Sequence, residues 1–139
     1  MVLYAKDIMK RYTKQVDGGL TALEGAKIMA EDHVGFLIIR EDGKPAGIVT
    51  EWDYVSKIVA NGIDPSKILL RDIMTKPLTY IDPNTPTDQV ATLMAQKGIR
   101  RLPVIDNGEL VGVITSRDIL RIFREYVDKI TTLIASFSP

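Results

Sequence analysis

Apolar side chains recur at Val90, Leu93 and Met94, the spacing that lines one side of an α-helix. Ahead of them, Thr85-Pro86-Thr87-Asp88 supplies a capping hydroxyl, a proline suited to the first turn and an acid three positions past the cap. A helix is expected from there to about Lys97, ended by Gly98. The pattern then changes to two β-rich runs, Leu102-Pro103-Val104-Ile105 and Leu110-Val111-Gly112-Val113-Ile114, on either side of Asp106-Asn107-Gly108. Asn-Gly supplies the positive φ of a tight turn, so the two runs should form a hairpin. From Ser116 the helical spacing returns, with Ile119, Leu120, Phe123 and Tyr126 on one side. Val127, Ile130, Leu133, Ile134 and Phe137 carry that stripe on, which predicts a helix to about Ser136 and an apolar face in need of a partner.

The same order occurs earlier in the chain. Thr21-Ala22-Leu23-Glu24 opens a helix, Phe36-Leu37-Ile38-Ile39 is a strand, Asp42-Gly43 turns it into Ala46-Gly47-Ile48-Val49, and a second helix runs over 53–60. Short extended pieces, 14–16 and 79–81, precede the first helix of each copy. The match is a repeat without insertion: Asp7-Ile8-Met9 returns as Asp72-Ile73-Met74, Gly47 as Gly112, Thr50 as Thr115 and Asp53 as Asp118, each 65 positions later (72−7, 112−47, 115−50, 118−53). Two copies of a β-α-β-β-α unit therefore fill the chain, and neither alone encloses its apolar face. The expected divisions are a first repeat over 1–62, a linker over 63–66, a second repeat over 67–127, and a helical extension over 128–139.

Composition narrows the classes of function. Eighteen basic side chains balance 18 acidic ones, so no overall field recruits nucleic acid or an anionic membrane, and any anion site must be local. The absence of cysteine removes disulfides, thiolate nucleophiles and zinc-thiolate sites, and the single histidine, His33, cannot build a metal centre. The first residues lack a signal-peptide core and no apolar run spans a bilayer, so a cytoplasmic protein is expected.

The chemistry concentrates in one motif, present twice: Gly47-Ile48-Val49-Thr50-Glu51-Trp52-Asp53 and Gly112-Val113-Ile114-Thr115-Ser116-Arg117-Asp118. A threonine ending a strand, with an aspartate three residues on, can cap the helix that starts between them. The same groups can serve a ligand: a carboxylate fixed at a helix start accepts two hydrogen bonds from a ribose diol, and the hydroxyl and amides suit a phosphate. On the residues alone both uses stay open.

Taken together, the β-α-β-β-α order, the Asp-Ile-Met starts, the stretch Gly98-Ile99-Arg100-Arg101-Leu102-Pro103-Val104 and the paired motifs resemble tandem CBS domains, the regulatory pairs also called Bateman modules. The resemblance covers nearly the whole chain. It implies an α/β (α+β) fold of two repeats about a pseudo-twofold axis, with small sheets face to face and helices outside. It also implies AMP, ADP, ATP or S-adenosylmethionine bound in clefts between the sheets. Carried over residue by residue, it puts Asp118 on the ribose and Thr115 beside the ribose or phosphate. Thr79 and Ile81 would line the adenine, Ile99 and Pro103 would pack on it, and the backbone near Ile99 and Arg101 would read its edge. The matching positions in the first copy are Lys14, Val16, Val34, Phe36, Thr50 and Asp53.

The copies differ most where a polyphosphate would lie. The second has Lys97, Arg100, Arg101, Arg117 and Arg121 where the first has Asp32, Gly35, Phe36, Trp52 and Ser56. Guanidinium groups hold phosphate oxygens by charge-assisted pairs, although Asp106, Glu109 and Asp128 also offer them local partners. Trp52 has two uses open to it, stacking on a base or closing a core or a subunit contact, and the second is expected. The function expected is an adenosine-nucleotide-binding regulatory module without a resident cofactor, a metal or catalysis, since neither a metal-binding carboxylate cluster nor a phosphate-cradling glycine loop is present. The alternatives are an S-adenosylmethionine sensor and a ligand-free interaction domain whose clefts are filled by side chains. Expected partners are the adenine nucleotide, a second copy in a homodimer through the C-terminal helix, and a regulated protein in trans.

Overall fold

The computed structural model describes residues 3–137, so Met1, Val2, Ser138 and Pro139, the last two at the end of the expected extension, lie outside the described residues. Its elements are α1 (Ala5–Ile8), β1 (Gln15–Asp17), α2 (Ala22–Asp32), β2 (Phe36–Glu41), β3 (Lys44–Thr50), α3 (Glu51–Asp53), α4 (Leu70–Ile73), α5 (Thr87–Lys97), β4 (Arg101–Asp106), β5 (Glu109–Thr115) and α6 (Ser116–Ser136). A π-helical segment, Tyr54–Val59, continues α3. Both hairpins form at the expected turns, with φ of 52° and 75° at Asp42 and Gly43 and of 51° and 80° at Asn107 and Gly108. These are the left-handed values that a two-residue turn joining twisted strands requires. No helix among the described residues is long and apolar enough to cross a membrane.

The chain forms two compact units that cut across the sequence repeats. One, here the Asp53 unit, is Thr13–Thr79 with Asn107–Leu110; the other, the Asp118 unit, joins the described residues up to Tyr12 to Tyr80–Asp106 and to those from Val111 onward. Thus α1 leaves its own repeat for the Asp118 unit, and α4 belongs to the Asp53 unit. Backbone pairing explains the exchange. Ala5 N donates to Thr85 O at 2.8 Å and Thr87 N to Leu3 O at 2.9 Å, and at the positions 65 residues away Leu70 N donates to Leu20 O at 2.9 Å and Ala22 N to Ile68 O at 2.8 Å. Each incoming helix then completes a core: Ala5 and Ile8 pack with Ile81, Val90, Met94, Leu102, Val104 and Ile114, and Leu70 and Ile73 pack with Val16, Met29, Leu37, Ile39 and Val49. A unit this small has little apolar surface to bury, and a buried isoleucine contributes about 1.5–3 kcal/mol, so the donated helix is a substantial share of each core.

This pairing also replaces a cap. Thr21 and Glu24 form the expected reciprocal box on α2, each side chain accepting from the other's amide at 3.1 Å. At α5 the expected Thr85 hydroxyl is not used: Pro86 occupies the cap position without a side-chain bond. Instead Thr87 donates to Leu3 O from both its amide and its hydroxyl, at 2.9 and 2.8 Å. The incoming segment satisfies the helix start, so no self-cap is needed.

The two sheets differ by one strand. In the Asp53 unit β1 pairs parallel to β2, which pairs antiparallel to β3. In the Asp118 unit β4 and β5 pair, and the edge strand is reduced to a single parallel bridge, Ile81 to Val104. Ile81 N donates to Pro103 O and Ile105 N to Ile81 O. The next rung toward Thr79 would need an N–H at position 103, which proline lacks; Ile38, its counterpart, keeps that donor.

The helices after β3 and β5 also diverge. Ala60 N reaches Val55 O at 2.9 Å, five residues back. This wider turn brings Ile58 inward to 2% exposure, whereas its α-helical counterpart Phe123 (58+65) is 65% exposed and Ile119 and Ile122 face the core instead. Within the Asp53 unit the Tyr54 hydroxyl donates to Ala22 O at 2.6 Å, and burial pushes its pKa up to about 12.

The glycine that opens each motif serves close approach. Lys10 and Val113 exchange two backbone hydrogen bonds, at 3.0 and 2.9 Å, and Thr75 and Ile48 do the same at 2.8 and 3.1 Å. A Cβ on Gly112 would lie 2.7 Å from Lys10 O, and one on Gly47 2.9 Å from Thr75 O. Because a backbone carbonyl held in a bridge cannot swing aside, Gly112→Ala should cost about 1–3 kcal/mol. Urea unfolding followed by circular dichroism measures this; an unchanged midpoint would refute the steric role.

Candidate functional site

At the start of α6, Thr115 and Asp118 lock together. Asp118 Oδ2 accepts from Thr115 N at 2.9 Å and from Thr115 Oγ1 at 3.0 Å, while Thr115 Oγ1 accepts from Asp118 N at 3.3 Å. Ser116 N donates to Arg100 O at 2.9 Å, which ties the turn after α5 to this helix start. The amides read from sequence as suited to a phosphate are thus largely engaged by the protein itself. Asp118 is 0% exposed, and a buried carboxylate is tolerated only with hydrogen bonds and a counter-charge. The counter-charge sits at its second oxygen: Arg121 Nη1 is 3.1 Å and Lys10 Nζ 3.6 Å from Oδ1. Both cations belong to long side chains that reach in from solvent.

The Asp53 unit repeats the cap with different charges. Asp53 Oδ2 accepts from Thr50 N at 2.8 Å and faces Thr50 Oγ1 at 3.4 Å. Its Oδ1 pairs with Lys57 Nζ at 2.9 Å, one turn along the same helix, and Lys57 Nζ also donates to Ile73 O at 2.7 Å. This lysine is held from two sides. Glu51 N donates to Gly35 O at 3.1 Å, matching the Ser116 to Arg100 bond.

The other residues singled out in the sequence are placed as follows. Ile81 and Val16 are buried in the apolar cores of their units, and both backbone polar groups of Ile81 are taken by β4. Thr79 is half-buried in the Asp53 unit. Ile99 and Val34 pack half-buried against the cores, each donating its amide back to the end of the preceding helix, Met94 O and Met29 O. Pro103 and Phe36 are buried, Arg101 is half-buried, and Arg100 and Arg117 are exposed. Lys14 pairs with Asp32 at 2.8 Å. Trp52 is 71% exposed, so it closes no core in its unit. His33 is exposed and ends α2 in the left-handed conformation.

Sequence reasoning missed Lys10 and Gln15. Lys10 lies in the first repeat, and the residue 65 positions on is Thr75, so comparison of the copies carries no sign of it. Gln15 Oε1 is the buried side-chain oxygen or nitrogen left without a hydrogen-bond partner among the described residues. Its place between two singled-out positions, Lys14 and Val16, was the only available signal. No group of three or more histidine, aspartate or glutamate side chains among the described residues is placed to hold a metal ion.

Comparison with known proteins adds the family. Residues 5–60 and 70–125 each match the CBS domain family. An uncharacterized protein of Methanopyrus kandleri is 41% identical over 104 residues, covering 73% of this chain and 53% of that protein. The chain spans about half the length of this relative, and 24% and 23% of two other archaeal relatives that bear enzyme names, a homoserine O-acetyltransferase and an L-aspartate semialdehyde sulfurtransferase. Among solved structures, a hexameric CBS-CP12 protein from bloom-forming cyanobacteria is 40% identical with a TM-score of 0.80, over 86% of this chain and 71% of that one. The CBS domain pair of protein MJ0100, in complex with 5′-methylthioadenosine and S-adenosyl-L-methionine, is 30% identical with a TM-score of 0.81, over 91% and 99%.

Proposed function

The chain belongs to the CBS-domain family, and from that membership we propose that it is a regulatory module that binds an adenosine nucleotide, AMP, ADP or ATP, at the 115–118 turn. The observation that carries this reading is the state of Asp118. Its Oδ2 is committed to the helix cap, but among the described residues Oδ1 is neutralised only by Lys10 and Arg121, side chains that can exchange a carboxylate for a phosphate. A ribose diol would take Oδ1, and the released cations, with Arg117 on the same turn and Arg100 on the turn after α5, would meet the phosphates. Asp53 is the weaker candidate because Lys57 is fixed between it and Ile73 O.

The MJ0100 pair supports the adenosine part, which nucleotides share with 5′-methylthioadenosine and S-adenosylmethionine. S-adenosylmethionine is the second reading, and the cations at Oδ1 weigh against it because a sulfonium centre would be repelled where a phosphate is attracted. Binding proceeds without turnover, and the signal passes through a change of conformation or assembly to a regulated protein in trans. A ligand can bias such a change only by as much as it prefers one state. The hexameric cyanobacterial relative supports self-assembly as part of the response, here as a homodimer formed through α6.

Titration calorimetry and thermal melting of the full chain with AMP, ADP, ATP, adenosine and S-adenosylmethionine test this. One nucleotide per chain is expected, and saturation at 100 times Kd should stabilise the fold by about 2.7 kcal/mol, roughly 10 °C in Tm. No heat and no shift at millimolar nucleotide would leave the ligand-free interaction domain as the better account. Phosphate release from ATP and magnesium would overturn the non-catalytic reading.

A further inference from the structure

We propose that Lys10 sets the site's preference for phosphorylated over unphosphorylated adenosine, by leaving Asp118 for the ligand's phosphate; this rests on the nucleotide reading above. Three observations carry it. First, the Lys10 backbone is fixed beside the motif through its two hydrogen bonds to Val113, made possible by Gly112, while its side chain is 64% exposed. A firm anchor with a long free stem delivers a charge to one neighbourhood without fixing its partner.

Second, the 3.6 Å from Nζ to Oδ1 is longer than the 2.7–2.9 Å typical of a charge-assisted hydrogen bond. The ammonium therefore balances the buried carboxylate electrostatically without committing a hydrogen bond to it. A diol donating into Oδ1 displaces that charge, and a phosphate oxygen is a better acceptor for it. An unphosphorylated nucleoside offers no such acceptor, so for adenosine Lys10 is only a competitor at Oδ1. Third, the arrangement is peculiar to the Asp118 unit. The counterpart of Lys10 is Thr75, and the Asp53 unit uses Lys57, whose second bond to Ile73 O holds it in place.

The test is calorimetry of the full-length parent, Lys10→Gln and Lys10→Arg, each with ATP and with adenosine. The glutamine variant should bind ATP about tenfold more weakly while binding adenosine equally or more tightly, and its ATP affinity should depend less on salt. The arginine variant should restore the parent's ratio. An unchanged ATP-to-adenosine ratio in Lys10→Gln, or equal losses for both ligands, would overturn the role of Lys10 while leaving the nucleotide reading standing. A parent that binds neither ligand would remove that reading, and this inference with it.

Discussion

Glutamate at both Phe123 and Ile130 should abolish the association of copies proposed through α6 and leave single chains. Ile119, Phe123, Tyr126, Ile130, Leu133 and Phe137 follow one another at intervals of 4, 3, 4, 3 and 4, with Leu120, Val127 and Ile134 beside them at intervals of 7. That is a heptad pattern with a third apolar position, broader than a two-stranded seam and suited to a helical bundle. Only its beginning is used within the chain: Ile119 and Ile122 pack on the core, while Leu120, Phe123, Leu133, Ile134 and Phe137 are each more than half exposed. At 1.5 Å per residue the 21-residue helix is about 30 Å long. Eight large apolar side chains along it offer on the order of 10 kcal/mol from burial, comparable to the cost of association. A second copy is the occupant proposed, because its helix is equally long, equally apolar and identical in period. Two carboxylates in the middle of the stripe would have to be desolvated, so association should be lost at micromolar concentration while the fold persists, neither residue belonging to a core. Sedimentation velocity on parent and variant decides it: equal masses for the two would mean that α6 is not where copies meet.

Replacing Asp118 with asparagine should reduce adenosine-nucleotide affinity by 100-fold or more. The amide oxygen still accepts from Thr115 N, but the amide nitrogen now faces Lys10 and Arg121, donor against donor, and the charge proposed to hold the ribose hydroxyls is gone. Alanine would remove the cap as well, at about 1–2 kcal/mol, so asparagine is the cleaner probe. Asp53→Asn supplies the comparison, since it disturbs an equivalent cap. Comparable losses of Tm with loss of ligand only in Asp118→Asn would support the ribose role. If Asp118→Asn binds ATP as tightly as the parent, the 115–118 motif is a helix cap and nothing more.

Much of the local architecture was legible because it rests on neighbours in the chain. Asn107-Gly108 and Asp42-Gly43 specify their turns by φ alone, the Thr21–Glu24 box needs only four residues, and the Thr-x-x-Asp motif predicts the cap observed at both 50–53 and 115–118. The errors arose where a distant segment intervened. Thr85 looked like a cap but was relieved by Leu3.

The order of residues by itself determined both hairpins and the helices α2, α5 and α6, the duplication at 65 positions, the family and the place of both buried aspartates, because each depends on spacing along one backbone. Only the tertiary structure decided that α1 and α4 change places between units, and that Asp118, besides Arg121 three residues along its helix, receives a second charge from residue 10, while Asp53 draws its own from four residues away. Partners separated by dozens of positions are chosen by which backbones can pair and which cores need filling, and no local pattern records that choice.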